Sequence, residues 1–284
     1  MTTIINGLAE VADRYDSILC DIWGVVHNGR AAFPQAVDAL VQFRARGGRV
    51  VLITNAPRPK DVIFPQLDRL GVPRDAYDDI VTSGDATRAE LALRAPGPFF
   101  KLGPDKDLGL WEDLTLNFTA LEDARFIACT GLVDDLTETP DDYHDLLARA
   151  AALGLDMICA NPDIVVQFGD RLIYCAGALA ELYERLGGRV VMAGKPFAAI
   201  YRLAFGRLAE LAGPIEPGRV LAVGDGVKTD VKGAAQAGLD CLFVATGIHG
   251  DDVLGPDGLD PARIDAALSR EQVRAAWSAT GLAW

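Results

Sequence analysis

Five side chains in four short segments could together do phosphoryl chemistry. They are Asp21 in Asp21-Ile22-Trp23-Gly24-Val25, Thr54 in Thr54-Asn55, Lys195 in Gly194-Lys195-Pro196, and Asp225 and Asp230 in the run Gly224–Asp230. A carboxylate can attack phosphorus and form an aspartyl-phosphate, dividing one difficult step into two. A phosphate dianion repels that carboxylate, so the reaction calls for Mg²⁺ held by hard oxygen ligands. Asp21 and Asp225 could supply two of them. The Thr54 hydroxyl and Lys195 ammonium could then steady the equatorial oxygens, because catalysis here is mainly positioning and electrostatics. Taken singly, each segment has a plainer reading: a strand-end turn at Asp21, a helix cap at Thr54-Asn55, a solvated lysine at Lys195. The Gly224–Asp230 run is more specific, since it combines turn-forming glycines with two acids around a threonine. The weight lies in all four occurring in this order on one frame.

That frame is legible as strands alternating with helices. Ser17–Cys20 is a short apolar run ending at Asp21, and Arg49–Ile53 is a β-branched run ending at Thr54. Between them Pro34–Arg46 reads as a helix with proline near its first turn and Gly47-Gly48 at its end. A second helix spans Lys60–Leu70, and a third starts near Asp85. After Gly187-Gly188 the alternation resumes, with Arg219–Val223 leading to Asp225 and a strand at Asp240–Ala245. Such alternation predicts right-handed β-α-β units and a parallel sheet, whose C-terminal edge is where ligands bind. From Pro96-Gly97-Pro98 the pattern changes. Strands at Phe99–Leu102, Arg125–Cys129 and Asp156–Cys159, a helix over Pro140–Leu153, and a hairpin of Ile164–Phe168 with Arg171–Cys175 turning at Gly169-Asp170 make a separate α/β module. The expected fold class is therefore α/β, a Rossmann-like doubly wound parallel-sheet core over residues 1–87 and 190–284 with an inserted α/β cap over 88–189.

These motifs together resemble the haloacid-dehalogenase-like hydrolase superfamily, in particular its subclass IIA, which contains nucleotide, sugar-phosphate, pyridoxal-phosphate and 4-nitrophenyl phosphatases. Gly24–Gly29 with Phe33-Pro34, Asn161-Pro162-Asp163, Gly177–Ala180 and Thr246-Gly247-Ile248 extend the likeness over nearly the whole chain. Pro104–Glu122 and the C-terminal tail are the least family-like. The resemblance implies that Asp21 is the nucleophile and that Thr54, Asn55 and Lys195 bind phosphate, Lys195 also serving catalysis. It implies that Asp21, the Trp23 backbone carbonyl, Asp225 and, through water, Asp230 hold Mg²⁺. It further implies a cap that closes over the site and selects the substrate, and a homodimer through that cap; breakers flanking the insert place its hinges near residues 88–97 and 187–190.

The chain departs from the family pattern at Trp23, where the family carries a second aspartate that protonates the leaving oxygen and later activates water. An indole N–H only donates and cannot shuttle protons near neutral pH. His27 is a candidate replacement, with a plainer reading as an entrance-lining residue. His144 and His249 read as structural or exposed, Asp85 as a helix cap, and Arg58 and Lys60 as helix-start charges that could also meet an anion. The expected function is Mg²⁺-dependent hydrolysis of a small phosphorylated metabolite, weak on alkyl phosphates. The alternative is a catalytically weak phosphometabolite-binding or regulatory protein on the same scaffold, and a related C–X or P–C bond cleavage is a third.

Composition narrows the partners. The 284 residues carry a net charge of −13, which argues against nucleic acid or an anionic membrane as the main partner. No leader-like basic and apolar run opens the sequence and no apolar run is long enough to span a bilayer, so a cytoplasmic setting is expected. The five cysteines lack C-x-x-C spacing and read as buried, reduced thiols. Gly188–Lys195 has the wrong spacing for a P-loop, and Gly224-Asp225-Gly226 lacks the third glycine of a dinucleotide fingerprint.

Overall fold

The computed structural model describes all residues except 1, 112, 169, 170, 246, 248, 249 and 257. The chain opens with β1 (Thr3–Ile4), β2 (Ser17–Asp21), β3 (Arg49–Thr54) and β4 (Asp79–Thr82). It then leaves this group for β5 (Phe99–Leu102), β6 (Phe126–Cys129), β7 (Asp156–Cys159), the paired β8 (Val165–Phe168) and β9 (Arg171–Tyr174), and β10 (Arg189–Met192). It returns through β11 (Val220–Gly224), β12 (Asp240–Val244), the short pair β13 (Leu254–Gly255) and β14 (Gly258–Leu259), and β15 (Trp277–Ala279). The central sheet has the order β1-β15-β12-β11-β2-β3-β4 and is parallel throughout. Strand order reverses between β2 and β11, which places a ligand crevice at their C-terminal ends.

Side-chain alternation explains why both faces of this sheet are covered. Ile18, Cys20, Val50 and Leu52 pack on one side against the helices Pro34–Ala45 and Lys60–Leu70. Leu19, Val51, Ile53 and Val81 pack on the other against Ile200, Ala204 and Leu208 of the helix Ala198–Ala212. Strands buried on both faces read as continuous apolar runs, as β2 and β3 do. All five cysteines are buried free thiols.

The inserted module is built on a second parallel sheet, β10-β7-β6-β5. One face carries the helices His144–Ala152 and Ala176–Arg185. The other packs Phe99, Phe126 and Ile158 with Trp111 and with Leu91, which belongs to the helix Ser83–Ala92. The antiparallel β8–β9 pair stands apart from that sheet; the expected turn at Gly169-Asp170 lies outside the described residues.

Two expected boundaries fall inside elements. The division at 189/190 falls inside β10, whose Arg189–Met192 pair with Asp156–Cys159 of the second sheet. The division at 87/88 cuts the helix Ser83–Ala92. Breakers at Gly187-Gly188 suggested the earlier point, but they merely end the preceding helix. The four residues that follow, Arg189–Met192, still complete the second sheet. At the C-terminus, three-residue β15 inserts between β1 and β12, an element too short for its periodicity to be read.

Candidate active site

Asp21 is the last residue of β2 and is 5% exposed. Thr54 ends β3, and Asp225 follows β11 directly. A five-residue π-turn, Val227–Val231, then carries Asp230 back beneath the same sheet edge. One carboxylate oxygen from each of Asp21, Asp225 and Asp230 lies within 4.8 Å of the others, and all three residues are buried. Lys195 is 2% exposed, and its Nζ lies 2.5 Å from Asp21 Oδ1 and 2.6 Å from Asp230 Oδ1.

The backbone is shaped to let these groups meet. Gly24 has φ +88°, and a Cβ there would run into the Asp225 carboxylate; a Cβ on Gly247 would strike the same group. Asp230 is aimed by its neighbours: its Oδ2 accepts the Gly226 N–H at 3.1 Å and the Thr229 hydroxyl at 3.2 Å. The glycines read from the sequence as turn formers thus also leave room for carboxylates.

Three acids against one ammonium leave a buried excess of negative charge. Burial raises the Asp21 pKa well above the usual carboxylate range; Lys195 opposes this, while Asp230 and Asp225 add to it. Burial works against the Lys195 ammonium, but Asp21, Asp230 and Asp163 outweigh it and hold its pKa well above normal. A cluster of hard oxygen donors with too little positive charge fits a divalent cation such as Mg²⁺.

Asn55 holds Lys195 in place. Its Oδ1 accepts the Lys195 N–H at 2.7 Å, and its Nδ2 donates to the Lys195 carbonyl at 3.2 Å and to Asp163 Oδ1 at 2.9 Å. The Asn55 side-chain amide thereby joins the core to the inserted module. Sequence reasoning quoted Asp163 as part of a motif but gave it no role. Its partner, Asn55, lies 108 residues away, a separation no local signal spans. Thr54 is buried, with its hydroxyl accepting the Ala56 N–H at 3.2 Å.

The other expected residues separate cleanly. Asp85 and Thr82 form a reciprocal capping box, and Lys60 pairs with Asp79 at 2.9 Å, so both are structural. His144 is exposed at the start of its helix, and His249 lies outside the described residues. His27 is 1% exposed, and its Nδ1 accepts the Gly29 N–H at 3.0 Å. Burial lowers its pKa from 6.5 to about 4, so it is neutral at physiological pH with its proton on Nε2. The Trp23 ring meets the His27 ring edge-on at 5.2 Å and stacks on Phe168 at 6.4 Å. Trp23 and Phe168 line a cavity of about 570 Å³, which Thr54, Arg58 and Asp163 also border. Phe168, from the module's hairpin, carried no sequence signal that marked it as part of the site.

A parallel sheet with its strand reversal at β2, three convergent acids and an ion-paired lysine define a haloacid-dehalogenase-type hydrolase. A family model described as haloacid dehalogenase-like hydrolase matches residues 18–113, and a HAD-hydrolase-like model matches 192–268. The crystal structure of a hydrolase of the haloacid dehalogenase-like family from Brucella suis 1330 is 44% identical, with a TM-score of 0.88 over 98% of this chain and 100% of that one. D-glycerol 3-phosphate phosphatase of Mycobacterium tuberculosis is 30% identical over 258 residues, covering 85% of this chain and 66% of that protein. The structure of glycerol phosphate phosphatase from that organism in complex with calcium matches with 28% identity and a TM-score of 0.63, over 86% of this chain and 70% of that one. Ribonucleotide monophosphatase NagD of Escherichia coli K12 is 26% identical over 243 residues, covering 84% of this chain and 90% of that protein. The chain belongs to the haloacid dehalogenase-like hydrolases. Among the described residues, no helix is long and apolar enough to cross a membrane.

Proposed function

We propose that the protein is a Mg²⁺-dependent phosphatase of a small phosphorylated metabolite, working through an aspartyl-phosphate on Asp21. The observation that carries this reading is the convergence of Asp21, Asp225 and Asp230 within 4.8 Å, beside a single buried ammonium. The activities of the mycobacterial and E. coli relatives, a D-glycerol 3-phosphate phosphatase and a ribonucleotide monophosphatase, support it.

In this reading Asp21, the Trp23 backbone carbonyl and Asp225 hold Mg²⁺, with Asp230 supporting it through water. The ion supplies positive charge that offsets repulsion between the phosphate and the Asp21 carboxylate. One Asp21 oxygen attacks phosphorus, and the P–O bond to the leaving group breaks. Thr54 and Lys195 steady the phosphoryl oxygens, while Asn55 positions Lys195. A water then attacks the phosphorus of the acyl-phosphate, releasing inorganic phosphate and restoring Asp21. Trp23 provides no proton in either half and neutral His27 is a poor substitute, so the leaving group departs with little acid assistance. That feature favours a second reading, in which the protein binds a phosphometabolite and turns it over slowly. The inserted module acts as a cap over the cavity, its movement hinging at residues 93–98 and 193–194. A homodimer through this cap and a cytoplasmic setting complete the proposal.

The test is hydrolysis of a panel of phosphate esters, including 4-nitrophenyl phosphate, with Mg²⁺ and with EDTA. Mg²⁺-dependent release of phosphate that Asp21→Asn abolishes without loss of fold is the expected result. Retention of most activity by that variant would rule out the covalent route.

A further inference from the structure

The Trp23 ring, which cannot do the proton chemistry of an acid at its position, instead bridges the two parts of the chain. The loop that carries it is tied down within the core. Gly24 N–H donates to the His27 carbonyl, Val26 N–H to that of Ile22 and Phe33 N–H to that of Val26, each at 2.8 Å. The indole lies over Gly29, at φ +84°, where a Cβ would come within 2.7 Å of a Trp23 ring carbon and 3.4 Å of Phe168 Cδ2. The bare backbone at Gly29 therefore makes room for both rings.

Phe168 is carried on a support of the opposite kind. It ends β8, at the turn end of a hairpin that pairs only with itself among the described residues. A two-stranded hairpin is marginal in water alone and needs a surface to pack on. Leu172 and Tyr174 of β9 are 64% and 40% exposed, so the outer side of the hairpin offers none. Val166 and Ile173 line the cavity, as do Asp107 and Thr130, which hydrogen-bond to each other within the module. The polar links from core to module do not reach the turn of the hairpin. Asn55 binds Asp163 beside the return of the chain at Lys195, and Arg58 Nε stands 4.0 Å from Asp107 Oδ1. The stack of Phe168 on Trp23, with ring centroids 6.4 Å apart and planes 30° from parallel, does reach it. Such a pair shifts an equilibrium by about two- to tenfold, enough to favour one position of the module and small enough to be released.

We propose that Trp23 and Phe168 form a clasp that fastens the hairpin over the acid cluster when the cap is down and lets it go when the cap lifts. The inference rests on the reading of the module as a cap and not on the reaction. Hydrogen–deuterium exchange of the full chain without ligand tests it, since exchange reports opening segment by segment. The segments are 22–32 in the core and 164–175 in the module. Trp23→Ala and Phe168→Ala should each speed exchange in both segments by about fivefold, within the range of an aromatic pair. The double variant should exchange no faster than the faster single one, because residues in contact are not additive. Phe168→Tyr keeps the ring and should stay within about twofold of the wild type. Leu172→Ala, in the same hairpin but pointing to solvent, should leave segment 22–32 unchanged. If Trp23→Ala does not fold, the contrast between Phe168→Ala and Phe168→Tyr decides. Additive effects of the two alanine variants overturn the clasp, as does a Phe168→Ala protein whose exchange rises in its own hairpin alone. Failure to hydrolyse any phosphate ester would count against the phosphatase reading and leave the exchange result standing.

Discussion

Asn55 Oδ1 accepts the backbone N–H of Lys195 at 2.7 Å, although 140 residues and the whole inserted module separate the two. The lysine is therefore held by its main chain as well as by its two ion pairs. Asn55→Ala should leave the Lys195 N–H and carbonyl and one Asp163 oxygen unmet in a buried setting, at a cost of about 1–3 kcal/mol. Urea unfolding should show that loss, and kcat should fall further than stability alone explains. Unchanged kcat in the folded variant would mean that Lys195 does not depend on this support.

Trp23 sets the sharpest kinetic expectation. Without a proton donor, departure of an alkoxide is penalised, whereas a nitrophenolate hardly needs the proton. The wild type should favour activated esters strongly and should show a burst of leaving group before slow release of phosphate. Trp23→Asp should raise kcat/KM on alkyl phosphates by at least about tenfold, the lower part of the usual general-acid contribution after allowing for the lost ring contacts. The check is the dependence of kcat/KM on leaving-group pKa in both proteins. A shallow slope already present in the wild type would require another proton donor.

Gly24 offers a test of the metal site that replaces none of its ligands. Gly24→Ala would place a methyl group against the Asp225 carboxylate at φ +88°, and should raise the Mg²⁺ concentration needed for half-maximal activity about tenfold or more, roughly the effect of disturbing the shell around a metal ligand. Gly47→Ala is the control. It has nearly the same backbone angle, φ +89°, and nothing within 4 Å of the added atom. It should cost stability through backbone strain alone and leave the Mg²⁺ titration unmoved.

His27 predicts a pH effect on folding. The folded protein keeps it neutral down to about pH 4, whereas the unfolded chain takes up a proton below about 6.5. Its contribution is complete above 6.5 and is lost as pH falls towards 4, amounting to about 3 kcal/mol at most. Thermal unfolding from pH 7 to 4 should show a smaller decline in His27→Asn, whose amide oxygen can still accept the Gly29 N–H. Parallel declines in both proteins would assign the acid sensitivity to other groups.

The sequence made some of these features plain and hid others for physical reasons. Asp21, Thr54 and Asp225 were readable because each ends or directly follows a strand whose apolar run is itself readable, and a parallel sheet brings strand ends to one edge. Asp230 was readable from its place five residues after Asp225 in one short run that opens with Gly224 and Gly226. Asp163, Phe168, Asp107 and Thr130 reach the cavity from the inserted module, and only the packing of that module against the core decides which of its many polar and aromatic residues face inward. β15 and the true extent of the second sheet were hidden for a different reason. Three or four residues contain too little periodicity to distinguish a strand from a loop, and their assignment comes from the partner strand they meet.

β10 bears on how this architecture can be recombined. Because Arg189–Met192 form the outer strand of the second sheet and Lys195 follows three residues later, the exchangeable unit ends almost on the lysine itself. A chimera joined at 189/190 would graft a recipient's edge strand onto a foreign three-stranded sheet, exposing unmatched side chains along β7. A junction at 193, paired with one at about 93, would transplant the sheet whole and leave both Asn55 and Lys195 in their native partner's hands. Modules exchanged at the second pair of junctions should express as folded proteins, and those exchanged at the first should not.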